Sequence, residues 1–228
     1  MWKTSLALKV ALGLLMIDSI IELSFVSSMV AWLHRTASKG FTVNQDGTTY
    51  LLAGKPLNLI GDQGHTSNGA AGTAFVLIGL GGIVSLWLRY WARDKVGGLG
   101  NFARFLYYLW VGLNIPALLL TIGALAYVFA VTNAHDGQTI DASLAASLNG
   151  SPYPEQSWTP QNWFSAVLQL DLVDARSDIQ SHLSVMRGWQ YNLIPMFIIQ
   201  LGFTILVLWE FTTWRKQSNV TRNVMVEK

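Results

Sequence analysis

The sequence predicts an all-α transmembrane protein, a four-helix membrane bundle that carries a small α+β outer region. Of its 228 residues, 51% are hydrophobic and only 12% are charged, about half the charged share of a typical soluble domain. The apolar residues form four long runs instead of following the periodicity of a soluble core. Tryptophan and tyrosine lie near many ends of these runs, where amphipathic rings favour the headgroup level of a bilayer.

The first run, within a predicted first span of residues 1–33, exceeds the roughly 30 Å of hydrocarbon that a helix must cross. Lys3 and the apolar stretch also suit a secretory signal peptide. The run continues too far for one, however, and no small-x-small cleavage site follows it. The other three predicted spans, each about the 20 residues that a crossing helix needs, are residues 70–91, 105–131 and 191–214.

The first outer loop, residues 34–69, contains a hairpin signal at Asp46-Gly47 between two β-rich flanks. A third short strand is predicted near residues 56–60. The glycine-rich residues 61–72 are predicted to form a flexible connection to the second span.

The second outer loop, residues 132–190, is patterned as helices. Residues 141–148 predict a short helix closed by Asn149-Gly150, and Thr159 caps a helix whose first residue is Pro160. Apolar residues then follow at helical spacing and predict one continuous helical stripe: Phe164, Leu168, Leu172, Ala175, Ile179, Leu183 and Met186.

This stripe has two interpretations, a lid that packs on the hairpin or an outer face that binds a partner. Ser177 with Gln180 also fits a capping box, so a second helix is an alternative there. Asn149-Gly150-Ser151 is the one outward acceptor triplet, which makes Asn149 the candidate glycosylation site.

Lysine and arginine set the orientation of the spans. They dominate the loop of residues 92–104 and the tail of residues 215–228, whereas the two long loops also hold eight acids. The positive-inside bias therefore places both termini in the cytoplasm and both long loops outside. The C-terminal residues match no retrieval signal, so the expected location is the plasma membrane.

A polar cluster is predicted inside the bilayer. Asp18 and Glu22 lie four residues apart on one face of span one, and Asn114 and Gln200 are their candidate partners. Three interpretations remain open: a structural knot that joins helices, a pair with a basic group on another subunit, or an ion or proton relay. Glycines in span two predict close packing against a neighbouring helix: Gly79, Gly81 and Gly82.

The chemistry missing from the sequence excludes several functions. A net charge of +2 is too small for phosphate-driven affinity, so no nucleic-acid partner is expected. The chain has no cysteine, and it contains no serine-elbow, phosphate-loop or HExxH pattern. Four outer-loop histidines lack the spacing of a ligand pair: His34, His65, His135 and His182. We therefore predict neither an enzyme nor a metal or cofactor site.

Two segments, TPQNWFSAVLQLDL at residues 159–172 and GWQYNLIPMFI at residues 188–198, are similar to parts of small four-span membrane proteins of filamentous fungi. They cover about a tenth of the chain. The overall pattern also resembles tetraspan proteins of the claudin-like, tetraspanin-like and eisosome types, although the cysteine motifs of claudins and tetraspanins are missing. This resemblance implies no assigned activity.

The expected function is that of a non-enzymatic tetraspan which self-assembles or supports a membrane complex through its outer face and helix surfaces. The expected partners are the lipid bilayer and either further copies of the chain or a larger membrane protein. One alternative is a small oligomeric channel or proton-coupled carrier that uses Asp18 and Glu22. Another alternative is an accessory subunit of a membrane pump or synthase.

Overall fold

The computed structural model describes residues 5–92, 95 and 97–226, with the side chains of residues 216–226 left aside. It is mostly helical, and its helices are α1 (Leu6–Arg35), α2 (Asp62–Gly72), α3 (Gly81–Trp91), α4 (Gly98–Ala134), α5 (Ala142–Leu148), α6 (Pro160–Val167) and α7 (Arg176–Val226). A π-helical segment, Thr73–Leu80, joins α2 to α3, and a 3₁₀ turn, Ala37–Lys39, follows α1. Strands β1 (Phe41–Gln45) and β2 (Thr48–Leu52) form an antiparallel pair.

Within the described residues, three helices are long and apolar enough to cross a membrane: Asp62–Trp91, Gly98–Ala134 and Arg176–Arg215. They contain the predicted second, third and fourth spans. Large apolar side chains are exposed along all three, as expected where lipid takes the place of water. These helices support an integral, multi-pass membrane protein, and α1 is not among the three.

The chain divides into two compact units. Unit 1 consists of the residues up to Ile20, Gly69–Gly123 and the residues from Ile194 onwards, and unit 2 consists of Ile21–Asn68 and Ala124–Leu193. In unit 1, α1 contributes Leu8, Leu12 and Leu15 to an apolar core, because spacings of four and three residues place them on one helix face. Trp110 of α4 packs in the same core and donates a 3.2 Å hydrogen bond from its Nε1 to the carbonyl oxygen of Ile78.

The core of unit 2 is built around aromatic rings. Trp158 and Trp163 are fully buried, with their ring centroids 5.2 Å apart in an edge-to-face arrangement. The indole Nε1 of Trp163 donates to the carbonyl oxygen of Gly54 at 3.0 Å. That glycine has no room for a side chain, because an added Cβ would overlap the carbonyl oxygen of Ala37.

The locally encoded elements of the outer region are confirmed. Asp46 and Gly47 have φ values of 51° and 83° and form the two-residue turn between β1 and β2. The carboxylate of Asp141 caps α5 by accepting from two backbone N–H groups. Thr159 caps α6, whose first residue is Pro160.

Two predictions before the second span are wrong. Residues 61–72 do not form a flexible connection, because α2 begins at Asp62. Their helix is held by tertiary hydrogen bonds, one that buried Gln63 donates to Gln161 and one that buried Ser67 accepts from Trp189, which offset the cost of glycine in a helix. No strand forms near residues 56–60 in the described chain, where Leu59 makes one parallel bridge to Trp158.

The prediction of one continuous helical stripe is also wrong, since α6 ends at Val167 and α7 begins at Arg176. Between them, Leu172 forms an antiparallel bridge with Val43 of the hairpin, and Ala175 has a positive φ of 60°. Strand-like hydrogen bonds to β1 therefore replace helical ones over this stretch. The alternative of a second helix is confirmed, but Ser177 does not cap it, because α7 begins at Arg176 and Ser177 lies inside the helix.

The predicted cytoplasmic segments are described only in part. Residues 93, 94 and 96 of the predicted loop lie outside the described residues, and α4 begins at Gly98. The predicted tail continues α7 to Val226. Lys3, Glu227 and Lys228 lie outside the described residues.

Candidate functional site

The two acids predicted inside the bilayer are buried along α1. Asp18 belongs to unit 1 and Glu22 to unit 2. Glu22 accepts a hydrogen bond of 3.1 Å at Oε2 from the side-chain amide of Asn192 on α7. The buried Oδ2 atom of Asp18 has no hydrogen-bond partner among the described residues. The structure thus gives Glu22 a helix-to-helix contact that the sequence did not predict.

The two predicted amide partners are both buried in unit 1 and take part in other contacts. Asn114 donates to the carbonyl oxygen of Trp110 in its own helix, at 2.8 Å. Gln200 of α7 accepts a hydrogen bond of 2.6 Å at Oε1 from the hydroxyl of Thr121 on α4. This contact joins α4 to α7 through two polar side chains.

The three predicted packing glycines face other helices of the same chain. An added Cβ on Gly79 would lie 2.7 Å from Cγ of Met16, and one on Gly82 would lie 2.9 Å from Cζ2 of Trp110. At Gly81 the nearest atom would also belong to Trp110, at an ordinary 3.6 Å. The first two glycines therefore permit close approach to α1 and α4 within unit 1.

The predicted interaction stripe lies inside unit 2. Four of its members are buried in the apolar core, and Leu168 is partly buried against it: Phe164, Leu172, Ile179 and Leu183. In this structure the stripe therefore packs locally, as in the lid interpretation. Asn149 is exposed at the end of α5 and accepts a 3.1 Å hydrogen bond from the backbone N–H of Leu51.

An ion-pair cluster in unit 1 was missed by the sequence analysis. Glu210 of α7 is buried, and its Oε2 lies 3.7 Å from Nη1 of Arg89 on α3. Its Oε1 accepts a 2.8 Å hydrogen bond from the backbone N–H of Ser5. Arg89 also donates to the hydroxyl of Tyr107 at 3.1 Å. The sequence signal for this cluster was Glu210, a single acid within the apolar run of span four. Counting the charges of the loops does not detect it.

A second missed network joins α2, α4 and α6 in unit 2. Gln63 donates from Nε2 to Oε1 of Gln161 at 3.0 Å, and its own Oε1 accepts from the hydroxyl of Thr132 at 3.2 Å. Asn162 donates to the carbonyl oxygen of Thr132 at 2.8 Å. All four side chains are buried, so the network fixes these helices to one another.

The histidines do not form a metal centre in the described part of the chain, where no group of three or more His, Cys, Asp or Glu side chains could hold an ion. His182 stacks on Trp32, with ring centroids 4.3 Å apart. Its Nδ1 lies 3.2 Å from Oδ1 of Asp178, whose Oδ2 accepts from Nε1 of Trp32 at 2.8 Å. This arrangement ties α1 to the start of α7.

Comparison of the chain with protein-family models, curated proteins and solved structures found no significant match. The resemblance to small four-span membrane proteins of filamentous fungi therefore stays a prediction.

Proposed function

We propose that this chain is a non-enzymatic, four-span membrane protein that self-assembles or supports a larger membrane complex. One observation carries the proposal. Polar side chains that are buried or partly buried connect helices in pairs, through Glu22 with Asn192, Thr121 with Gln200 and Arg89 with Glu210. Polar contacts of this kind join helices in membrane proteins and fit a fixed framework better than a path for ions.

The fourth span would be α1, with both termini in the cytoplasm and unit 2 carrying the outer loops. Its 30 residues extend about 45 Å at a rise of about 1.5 Å per residue, which exceeds the roughly 30 Å hydrocarbon layer. Asp18 and Glu22 are both buried, so neither carboxyl group would face lipid. The positive-inside bias supports the orientation, and the plasma membrane remains the expected location.

The partner, a second copy or a larger membrane protein, would bind at the exposed apolar faces of the crossing helices. Packing against another helix there replaces lipid and requires no polar group to be desolvated. The stripe packs within unit 2, so it does not support a contact through that outer face. An accessory role in a pump or synthase is one form of this proposal.

A channel or carrier remains a second candidate because of Asp18. Its buried Oδ2 lacks a hydrogen-bond partner among the described residues, and ionisable groups inside a membrane often lie on ion or proton pathways. The double variant Asp18→Asn, Glu22→Gln separates the two functions. Loss of ion flux from liposomes with an unchanged particle would favour the carrier, whereas loss of the folded particle would favour the structural role.

The first test is the native mass and composition of the particle, extracted gently from its own membrane. A particle made of several copies, or one with a fixed ratio of this chain to a larger protein, supports the proposal. A monomer that moves ions when reconstituted alone contradicts it.

A further inference from the structure

A cavity of about 710 Å³ lies in unit 2. Its walls are the last turns of α1, the first turns of α2, Pro160, and Met186 and Trp189 of α7. This volume falls within the range of about 300–1,000 Å³ that is typical of small-molecule sites. One wall is open to the surroundings, since the side chain of Val30 is 46% exposed.

The lining includes several apolar side chains of α1. Val26, Val30 and Leu33 of α1 follow at spacings of four and three residues, so they share a helix face. Met186 of α7 also lines the cavity. These side chains offer an apolar surface on which a hydrocarbon chain can lie.

The lining also includes polar side chains and a positive charge. Arg35 lies at the end of α1, and His65 and Asn68 lie on α2. All three are exposed, and the side chain of Arg35 forms no hydrogen bond or ion pair with any residue in the described ranges. Among the described residues, no acidic side chain lines the cavity. The guanidinium charge of Arg35 is therefore available to an anion.

The cavity is held open by fixed walls. The side chain of Gln63 is engaged by Gln161 and Thr132, and Trp189 donates to the hydroxyl of Ser67 at 2.6 Å. Gly64 also leaves space, because an added Cβ there would meet no atom within 4 Å. Preformed space of this kind lowers the cost of binding, since little has to be ordered when the ligand arrives.

We propose that this cavity binds one anionic phospholipid. A fatty-acyl chain would lie along Val26, Val30 and Leu33, and the negatively charged headgroup would meet Arg35 and His65. The guanidinium charge of Arg35 selects an anionic headgroup, because charge-assisted hydrogen bonds are stronger than hydrogen bonds between neutral groups. This inference is independent of whether the chain self-assembles.

The test is native mass spectrometry of the full chain in detergent with equal amounts of phosphatidylserine and phosphatidylcholine that carry identical acyl chains. We expect one bound phosphatidylserine and weaker retention of phosphatidylcholine. Arg35→Gln should reduce phosphatidylserine binding about tenfold, the effect of losing one charge-assisted hydrogen bond. Lys39→Gln removes a nearby exposed charge that does not line the cavity and should leave binding unchanged.

A second pair of variants tests the position of the ligand. Gly64→Leu fills the cavity and should abolish retention of the lipid, whereas Gly69→Leu places the same side chain on a glycine outside the lining. If Gly64→Leu fails to fold, Ala31→Phe fills the cavity from α1, and Ser28→Phe is its control. Equal retention of both lipids by the wild type, or unchanged binding in a folded cavity-filling variant, would overturn the proposal.

Discussion

Tyr153 shows how a single buried phenol links the outer elements of unit 2. Its hydroxyl accepts from the backbone N–H of Asp141 at 3.2 Å and donates to Oε2 of Glu155 at 3.2 Å. Burial raises the pKa of Tyr153, and the neighbouring Glu155 carboxylate raises it further, whereas the backbone hydrogen bond from Asp141 lowers it. The folded state therefore favours the protonated phenol.

This pKa shift predicts a loss of stability in alkaline solution. The pKa of Tyr153 in the folded state lies above its value of about 10 in the unfolded chain. The stability that this phenol contributes is therefore complete below pH 10 and is lost as the pH rises through the folded-state pKa. Tyr153→Phe should make the decline of Tm in detergent between pH 9 and 11 shallower; part of the decline should remain, since burial also raises the pKa of Tyr50.

Tyr191→Phe is the matched control for this measurement, because the ring of Tyr191 is exposed. It should leave the slope of Tm against pH as in the wild type. An equally steep alkaline decline in Tyr153→Phe would contradict the role assigned to this phenol.

At the residue scale, the sequence predicts the interactions that are local in the chain. Thr159 and Pro160 specify the start of α6, and Asp46 with Gly47 specifies the turn, because each feature depends on neighbouring residues alone. The hydrogen bond between Gln63 and Gln161 joins residues 98 positions apart. No local pattern distinguishes these buried amides from solvated ones.

Between elements, the contact of Arg89 with Glu210 joins α3 to α7. The side chains are 11% and 3% exposed, so both charges are largely removed from water. Removing one partner of a buried pair is costly because it leaves the other charge uncompensated, whereas replacing both with apolar groups is often tolerated. The contact therefore makes the docking of these helices sensitive to a single substitution.

We predict that Arg89→Met lowers the free energy of unfolding by about 3–5 kcal/mol. For a chain of this size, each kcal/mol lost lowers Tm by roughly 2–4 °C. The double variant Arg89→Met, Glu210→Met should recover much of this loss. Arg187→Met changes an exposed arginine and should shift stability by less than about 0.5 kcal/mol. Thermal unfolding in detergent measures all three, and a wild-type Tm in the Arg89 variant would contradict the prediction.

The same distinction between local and distant contacts explains which elements the sequence predicts. The long apolar runs specify the spanning helices without tertiary information. Helical periodicity across residues 164–186 did not reveal the break between α6 and α7, because the pairing of Leu172 with Val43 crosses 129 residues. Glycine content likewise concealed α2, whose buried Gln63 and Ser67 are held by distant partners.

On the scale of the whole molecule, the exposed apolar surface separates this protein from a soluble helical protein. Contiguous apolar patches of more than a few hundred Å² are rare on soluble monomers. In this chain, large apolar side chains are exposed along the helices long enough to cross a bilayer, including Val76, Ile83, Trp87, Leu119, Ile198, Ile205 and Trp209. The number of crossings then decides which surfaces a partner can reach.

The number of crossings can be tested with single thiols, since the chain has no cysteine of its own. Ser38→Cys and Ser151→Cys place thiols at exposed positions of the predicted outer loops, and Leu99→Cys places one at an exposed position near the start of α4. A short cysteine-containing tag before Met1 reports on the side of the membrane that precedes α1. The measurement is labelling of intact cells with a membrane-impermeant maleimide, followed by labelling after permeabilisation.

If α1 crosses the membrane and both termini are cytoplasmic, the thiols at positions 38 and 151 react on intact cells. The tag and the thiol at position 99 then react only after permeabilisation, because the reagent requires an accessible thiolate in water. Equal labelling of the tag and position 38 on intact cells would show that α1 does not cross, and Asp18 and Glu22 would then lie outside the hydrocarbon. If all four helices cross, both carboxyl groups lie within the bilayer, where the protein itself has to supply their hydrogen-bond partners.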